Sequence, residues 1–258
     1  MKRIIVIGDI FNVPASAVPI ILNENDAIEE IVSLKPLDDD VELIIEQGVD
    51  LQALTRAVHY REKSLGSGVP KFHINARPEM PRAGRRLAHK AKRENICVSY
   101  PRQVSDKTFE LDLQFSAQNE FFLDHMTGFH IQGMALSEAA RQAFLVVTEE
   151  FFLSQAPDNY YFVIRHQNVS FENFVFPFGV TISYEITEHK VKSGRQSFVV
   201  KMDLVQGGVV CSRVDVAFTV FSADKISERE EALINERIHE IVSVQSAEPK
   251  AEPVLGVA

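Results

Sequence analysis

Three polar residues interrupt an otherwise apolar segment in the middle of the chain: Glu138, Arg141 and Gln142. Because they are spaced by three and four residues, they share one face of a helix. A buried charge is unfavourable unless it is paired or used. The polar group therefore has three explanations: a structural ion pair between Glu138 and Arg141, a bridge across a subunit interface, or an active site. The spacing alone leaves all three open.

Upstream residues favour the active site. Three polar side chains precede the helix on a loop: Asp124, His125 and His130. Gly133 follows at the expected helix start, where unpaired amide N–H groups can hold a carbonyl oxygen or a developing oxyanion. Glycine at that position lets a substrate approach closely. We expect desolvation to raise the pKa of Glu138, so that it acts as an acid or a base beside a histidine. This arrangement fits acyl chemistry on a thioester, or addition and elimination beside a carbonyl.

Other chemistries have weaker support. The loop residues Asp124, His125 and His130 could hold a metal ion, but no further Cys or His cluster with ligand spacing accompanies them. The nucleophile motif GxSxG is absent, as are the phosphate-binding motifs GxGxxG and GxxxxGK[ST]. We therefore assign neither a metal nor a cofactor.

The elements that position these residues can be read from the periodicity. Apolar residues cover most sides of the helix that follows Gly133, which predicts an enclosed helix. Strands are expected upstream at residues 96–99 and 108–115, and downstream, after a turn at residues 156–159, at 160–169, 180–192, 197–206 and 209–221. Gly207 and Gly208 mark a hairpin between the last two strands. The pattern predicts an α+β hotdog fold, an antiparallel sheet wrapped around a central helix.

The rest of the chain divides into four further parts. Alternating strands (residues 4–7, 41–45 and 69–74) and helices (26–34 and 51–64) predict a small α/β unit over residues 1–75. Residues 76–95 form a basic segment, either a solvated linker or a docking strip for an acidic carrier protein or for phosphate groups. After the hotdog domain at residues 96–222 we expect an exposed charged helix at 223–242 and a disordered tail at 243–258.

Bulk composition limits the partners. The net charge of −9, from 27 basic and 36 acidic residues, argues against nucleic acid and against an anionic membrane surface. Cys97 and Cys211 lie in apolar runs, which fits buried thiols in a reducing compartment. No run of about 18 apolar residues, as a membrane span requires, occurs in the sequence. The apolar run at the start of the chain is too short for a signal peptide. We expect a cytoplasmic protein.

Three segments resemble a known family. DHMTGFHIQGMALSEAARQAF (residues 124–144) is similar to the signature in the C-terminal repeat of the A-factor biosynthesis (AfsA-type) hotdog family. LAHKAKRENICVSYPR (87–102) resembles the lead-in to that signature, and VIRHQNVSFENFVFP (163–177) the strand that follows. The resemblance covers about residues 86–222. Two positions depart from the family pattern: Gln132 replaces a proline, and Phe129 an aspartate.

The resemblance implies a function and a set of site residues. Family members are implicated in joining a β-ketoacyl group from a carrier protein to a dihydroxyacetone-phosphate-type acceptor, on the way to butyrolactone-like signals. In the related β-hydroxyacyl carrier-protein dehydratases, a loop histidine and a helix carboxylate from opposite protomers face each other. By motif position, the catalytic residues are Glu138, Arg141 and His125, and the substrate-binding residues are Gly133, His130, Asp124 and Gln142. A single repeat implies a homodimer.

The implied activity is acyl transfer from an acyl carrier protein or acyl-CoA thioester to a small acceptor. Two alternatives stay open. One is a dehydratase- or thioesterase-like hotdog enzyme, and the other is a non-catalytic acyl-binding or dimerising module.

Overall fold

The computed structural model describes residues 1–66, 68–76, 80–125, 128–153 and 160–245. Its first part is a four-stranded parallel sheet with two helices, formed by β1 (Lys2–Ile7), β2 (Ile21–Asn23), α1 (Glu24–Val32), β3 (Val41–Ile45), α2 (Leu51–Leu65) and β4 (Phe72–Ala76). The strand order is β2-β1-β3-β4. Asp50 caps α2 by accepting hydrogen bonds from the amides of Gln52 and Ala53. The expected small α/β unit is therefore present, with β2 as an additional edge strand.

The second part is a six-stranded antiparallel sheet with its helices, formed by β5 (Arg102–Gln103), β6 (Thr108–Asp112), α3 (Glu120–Leu123), α4 (Gly133–Phe152), β7 (Tyr160–Phe171), β8 (Thr181–Lys192), β9 (Arg195–Gln206), β10 (Val209–Ser222) and α5 (Ala223–Gln245). The order is β5-β6-β8-β9-β10-β7, which leaves β7 at an edge. Gly207 and Gly208, with φ of +57° and +81°, form the turn between β9 and β10. Both angles are those of a tight hairpin turn, so the predicted hairpin is confirmed.

Helix α4 lies inside this sheet. Ala139, Ala143, Phe144 and Val147 are fully buried, and the ring of Phe144 stacks on that of Phe218 in β10, with centroids 4.5 Å apart. Each large apolar side chain buried in this way contributes about 1.5–3 kcal/mol. Within the described ranges, neither α4 nor any other helix has an apolar stretch that would cross a membrane. A sheet wrapped around an enclosed helix is the predicted hotdog arrangement.

Two expectations for the segment before α4 are wrong. Residues 96–99 are not a strand, because their β-pairing consists of the isolated bridges Val98–Leu113 and Arg82–Ser99 rather than a continuous ladder. The described part of the basic segment is not a solvated linker, since Leu87 and Ala88 are buried in the hotdog core. The segment thus covers one side of α4.

Other boundaries differ by a few residues. The predicted third strand begins at Phe72 and the first helix at Glu24. Helix α5 runs to Gln245, so the first three residues of the expected tail are helical. The remaining tail and the predicted turn at residues 156–159 lie outside the described residues.

A buried glutamine joins the two parts. Gln47, which follows β3, is 4% exposed. Its Nε2 donates to the carbonyl oxygen of Leu113 (2.7 Å), and its Oε1 accepts from the amide of Phe115 (2.8 Å). Beside it, Phe11 packs edge-on against Phe122 of α3. The α/β unit is therefore attached to the hotdog domain by specific contacts.

Candidate active site

Glu138 is the centre of a charged network on α4. Both carboxylate oxygens accept from Arg141, from Nε at 2.7 Å and from Nη2 at 2.8 Å. Nζ of Lys90 lies 2.7 Å from Oε1, and Nε2 of Gln142 donates to the same oxygen at 2.9 Å. The side chains of Glu138, Lys90 and Arg141 are 12%, 22% and 30% exposed. The network is thus partly sheltered while its cations reach the surface.

The expected rise in the pKa of Glu138 is wrong. Burial by itself does raise it, but hydrogen bonds from Arg141, Lys90 and Gln142 together outweigh burial and lower the pKa to about 2. The carboxylate is therefore ionised throughout the neutral range. It can position cations, but it is a poor proton donor or acceptor at neutral pH.

Gln142 ties α4 to the segment before it. It is fully buried, its Oε1 accepts from the amide of Cys97 (2.8 Å), and its Nε2 donates to the carbonyl of Asn95 (2.9 Å). The side-chain amide is used within the chain, and the substrate-binding role of Gln142 stays a prediction. Its position indicates that it holds Glu138 against the segment that carries Lys90.

Three other basic residues before α4 also pair with acidic residues. Arg86 and His89 both contact Glu149 near the end of α4, and Lys92 pairs with Glu120 at the start of α3. The pair of Lys90 with Glu138 belongs to the same series. These four residues of the basic segment are matched in charge to the helices beneath them, which leaves less free charge for the predicted docking strip.

Gly133 is the first residue of α4, as predicted. The amides of Gly133 and Met134 have no acceptor among the described residues, which leaves two N–H groups at the positive end of the helix. A Cβ on Gly133 would lie 2.8 Å from Cζ of Phe171. Gly133 therefore leaves room for the ring of Phe171, which covers it closely and would have to shift for any larger residue. Nε2 of Gln132, at the departure from the family pattern, donates to the carbonyl of Phe121.

The loop residues lie apart from the Glu138 network. Asp124 and His125 are exposed after α3, and the exposed ring of His130 packs on Phe174 with centroids 4.7 Å apart. The partners of Glu138 in the described chain are Arg141, Lys90 and Gln142, so neither histidine contacts it. No three His, Cys, Asp or Glu side chains within the described ranges are arranged to hold a metal ion. A facing histidine would have to come from a second copy.

Sequence reasoning missed three site residues. Lys90 lies in the family-like segment, but its pairing with Glu138 depends on how residues 82–99 fold over α4. Cys97 is buried next to Gln142, and burial raises the pKa of its thiol to about 12, so it is not a thiolate nucleophile. Asn119 donates to the carbonyl of Glu94 and holds the same segment from α3. The available signal for Cys97 was its place in an apolar run, whereas Asn119, between Gln118 and Glu120, has no local signal.

An enclosed helix with a polar site, wrapped by an antiparallel sheet, defines a hotdog protein. The chain belongs to the A-factor biosynthesis hotdog domain family, whose model matches residues 74–222, more than half of the chain. The resemblance inferred from residues 86–222 is thereby confirmed. No curated protein matches the chain in sequence.

Solved structures similar to this chain align with about half of it. A predicted thioesterase from Bacillus stearothermophilus is 17% identical, covering 46% of this chain and 83% of its own, with a TM-score of 0.36. A mutant thioesterase from Pseudomonas aeruginosa is 11% identical, covering 48% and 81%, with a TM-score of 0.34. A conserved protein from the same organism is 16% identical, covering 47% and 86%, with a TM-score of 0.33.

Proposed function

We propose that this protein processes acyl thioesters, and that it is an acyltransferase. It would move a β-ketoacyl group from a carrier-protein or coenzyme A thioester to the hydroxyl of a small phosphorylated acceptor. Membership of the A-factor biosynthesis hotdog domain family supports the substrate class. The single observation that supports a phosphorylated acceptor is that two cations, Lys90 and Arg141, share one carboxylate, Glu138.

The excess positive charge fits a phosphate group. Arg141 uses two of its five N–H donors on Glu138, and Lys90 uses one of three. Their other side-chain donors have no acceptor in the described part of the chain. Fixed by Glu138, both cations are held in place before a ligand arrives, which reduces the ordering needed on binding. In this proposal Glu138 positions the cations and does not transfer protons.

The start of α4 would hold the acyl group. Its free amides, at Gly133 and Met134, would accept the thioester carbonyl oxygen and the charge that develops on it. Phe171, packed on Gly133, would form a wall of the acyl slot. The acceptor oxygen attacks the carbonyl carbon, the C–O bond forms, and the C–S bond breaks to release a thiol. The proton of the hydroxyl passes to a histidine and then to the departing sulfur.

The proposed histidine is His125 of a second copy. The lowered pKa of Glu138 removes the carboxylate from proton transfer, so the proposal gives that role to a histidine. A homodimer would form through β7, since an edge strand with an unpaired side favours pairing with its own copy. His130 and Asp124 would then lie near the mouth of the site.

The test is acyl transfer measured by product mass, with a carrier thioester and a phosphorylated triose. Lys90→Ala should raise the KM for that acceptor by about tenfold or more, because a phosphate contact is lost. It should change the KM for an unphosphorylated triol much less. Lys92→Ala is the matched control, since Lys92 pairs with Glu120 away from the network. Equal effects of the two variants would contradict the proposal.

A second candidate is a non-catalytic acyl-binding or dimerising module. The observation that favours it is the complete use of Glu138 in contacts with Arg141, Lys90 and Gln142. Acyl ligand that co-purifies with the protein, with no turnover across a panel of thioesters, would support this function. Free acid or enoyl product formed without an acceptor would instead indicate the thioesterase- or dehydratase-like alternative.

A further inference from the structure

Helix α5 carries an apolar face that the described chain does not cover. Ile234, Ile238 and Ile241 follow one another at steps of four and three residues, and Leu233 and Val242 extend the same face. All five side chains are between 49% and 59% exposed. A continuous apolar helix face exposed to water usually marks an interface.

The same helix is acidic. Between Ala223 and Gln245 the sequence has six acidic and three basic residues. Viewed along the helix axis, Glu231 projects beside Ile238 and Glu240 beside Leu233, while Arg237 projects between Leu233 and Ile241. A surface that fits α5 should therefore combine an apolar floor with a basic rim.

The outer face of the hotdog sheet, opposite α4, has a groove of this kind. It encloses about 550 Å³. Its floor is formed by small and apolar side chains from neighbouring strands, where Val199 pairs with Ala217, and Thr219 pairs with both Ser197 and Val163. These side chains point away from the core because alternate residues of a strand face opposite sides. The floor is thus a narrow strip across β7, β10 and β9, in which Ala217 and Thr219 are buried and the other side chains are half-buried.

The rim of the groove is basic. Four cationic side chains line it: Arg165, Lys190, Lys192 and Arg195. One acidic residue, Glu188, lies among them and is bonded to Lys190 at 2.6 Å. Within the described residues Lys192 and Arg195 form no ion pair, and Arg165 interacts with Glu188 through its charge without a direct ion pair. The groove therefore keeps an excess of positive charge in a chain whose net charge is −9.

The path of α5 leads towards the edge of the sheet. It continues directly from β10 and contacts β7, where the hydroxyl of Tyr161 donates to Glu230 at 2.8 Å. Because β7 is the edge strand, this bond holds the second turn of α5 above the boundary of the sheet. The apolar face lies beyond Glu230 and stays exposed, so α5 does not fill the groove of its own chain.

We propose that α5 of one copy docks in the basic groove on the outer sheet face of a second copy. The apolar face of α5 would cover the floor, and its acidic residues would meet Arg165, Lys192 and Arg195. This contact is separate from the pairing of β7 strands and from the site at Glu138.

Cross-linking of the full chain tests this contact. One chain carries Ile238→Cys and another carries Ser197→Cys, and the two are mixed and treated with a short bismaleimide. Both native thiols are buried, so the protein without introduced cysteines, treated in the same way, gives the background. The expected result is a cross-linked dimer in the mixture, and much less in either chain alone. Adding Arg195→Glu should reduce the yield several-fold, as should high salt. Lys201→Glu, on the same strand and face but outside the groove, should not.

Each other outcome overturns the proposal. A chain with both cysteines that cross-links only within itself would mean that α5 folds onto its own groove. An unchanged cross-linking yield with Arg195→Glu would exclude recognition by charge. Absence of any cross-link, with an anionic lipid adduct in native mass spectrometry, would mean that the groove binds a small amphiphile. Since the readout needs no turnover, its failure is distinguishable from failure of the proposed function.

Discussion

Two buried glutamines, Gln47 and Gln142, make the same contacts in different places. Each side-chain amide hydrogen-bonds to a backbone carbonyl and to a backbone N–H two residues further on, as a neighbouring β-strand would. Gln47 donates to the carbonyl of Leu113 and accepts from the amide of Phe115, two residues on. Gln142 donates to the carbonyl of Asn95 and accepts from the amide of Cys97. One glutamine thereby attaches the α/β unit to the hotdog domain, and the other attaches the segment before α4 to α4 itself.

The difference lies in a third bond. Nε2 of Gln142 also donates to Glu138, whereas the bonds of the Gln47 side chain are to backbone groups. The same pair of backbone contacts therefore involves no charged group at Gln47, whereas at Gln142 it is coupled to a charged site. We infer that Gln47 contributes to stability alone, while Gln142 contributes to stability and to the geometry of the Lys90–Glu138–Arg141 network.

The largest expected effect is that of Gln142→Met, which keeps the side-chain length but removes the amide. It leaves the amide of Cys97 buried without a partner, leaves the carbonyl of Asn95 with only the weak thiol donor of Cys97, and weakens the hold on Glu138. Since each unsatisfied buried group costs about 1–3 kcal/mol, the free energy of unfolding should fall by about 3–5 kcal/mol. Urea unfolding measures this loss. Acyl transfer per folded molecule should also fall, and a stable, inactive variant would show that the network matters beyond packing.

Gln47→Met should have a smaller effect of a different kind. Two backbone groups, on Leu113 and Phe115, lose their partners, which predicts a loss of about 2–4 kcal/mol. Activity per folded molecule should be unchanged, because the charged network is untouched. Limited proteolysis should show earlier cleavage between the α/β unit and the hotdog domain. If activity falls as much as in Gln142→Met at full folding, the distinction between the two glutamines is wrong.

Glu138→Gln should sharpen the comparison through its pH dependence. The folded-state pKa of Glu138 is lowered to about 2, so its contribution to stability is present above its ordinary pKa of about 4.3 and is lost as the pH falls towards 2. At pH 7 the variant should lose roughly 2–3 kcal/mol, and the loss should shrink as the pH falls through that window. Thermal unfolding between pH 2 and pH 7 measures it. Glu120→Gln, at an exposed ion pair, is the control and should show a much smaller change.

The fold was largely predictable because its patterns are long. The sustained apolar periodicity after Gly133 predicts α4, and the alternating runs predict β7 to β10 to within a few residues. Short elements were missed, since the three residues of β2 carry too little pattern to separate them from a loop. Residues 96–99 were wrongly predicted as a strand, because their burial comes from contact with α4 and single bridges rather than from a ladder.

The site was predictable in its residues but not in its electrostatics. Glu138 and Arg141 are paired, as their spacing indicates. The direction of the pKa shift was wrong because burial can be read from neighbouring apolar residues, whereas a donor such as Lys90, 48 positions earlier, cannot. The role of Gln142 depends likewise on a segment that the sequence places far away.

The smallest expected effect concerns the start of α4. It tests the packing around Gly133 independently of the charged network. In Gly133→Ala the new Cβ would lie 2.8 Å from the ring of Phe171, which is half-exposed and can move aside. The displaced ring should cost about 1 kcal/mol, partly offset by the higher helix propensity of alanine. Combining it with Phe171→Ala should remove the penalty of the first substitution, so a double-mutant cycle measures the coupling. If the two substitutions add independently, Phe171 does not explain the glycine, and the open approach to the first amides of α4 becomes the better account of Gly133.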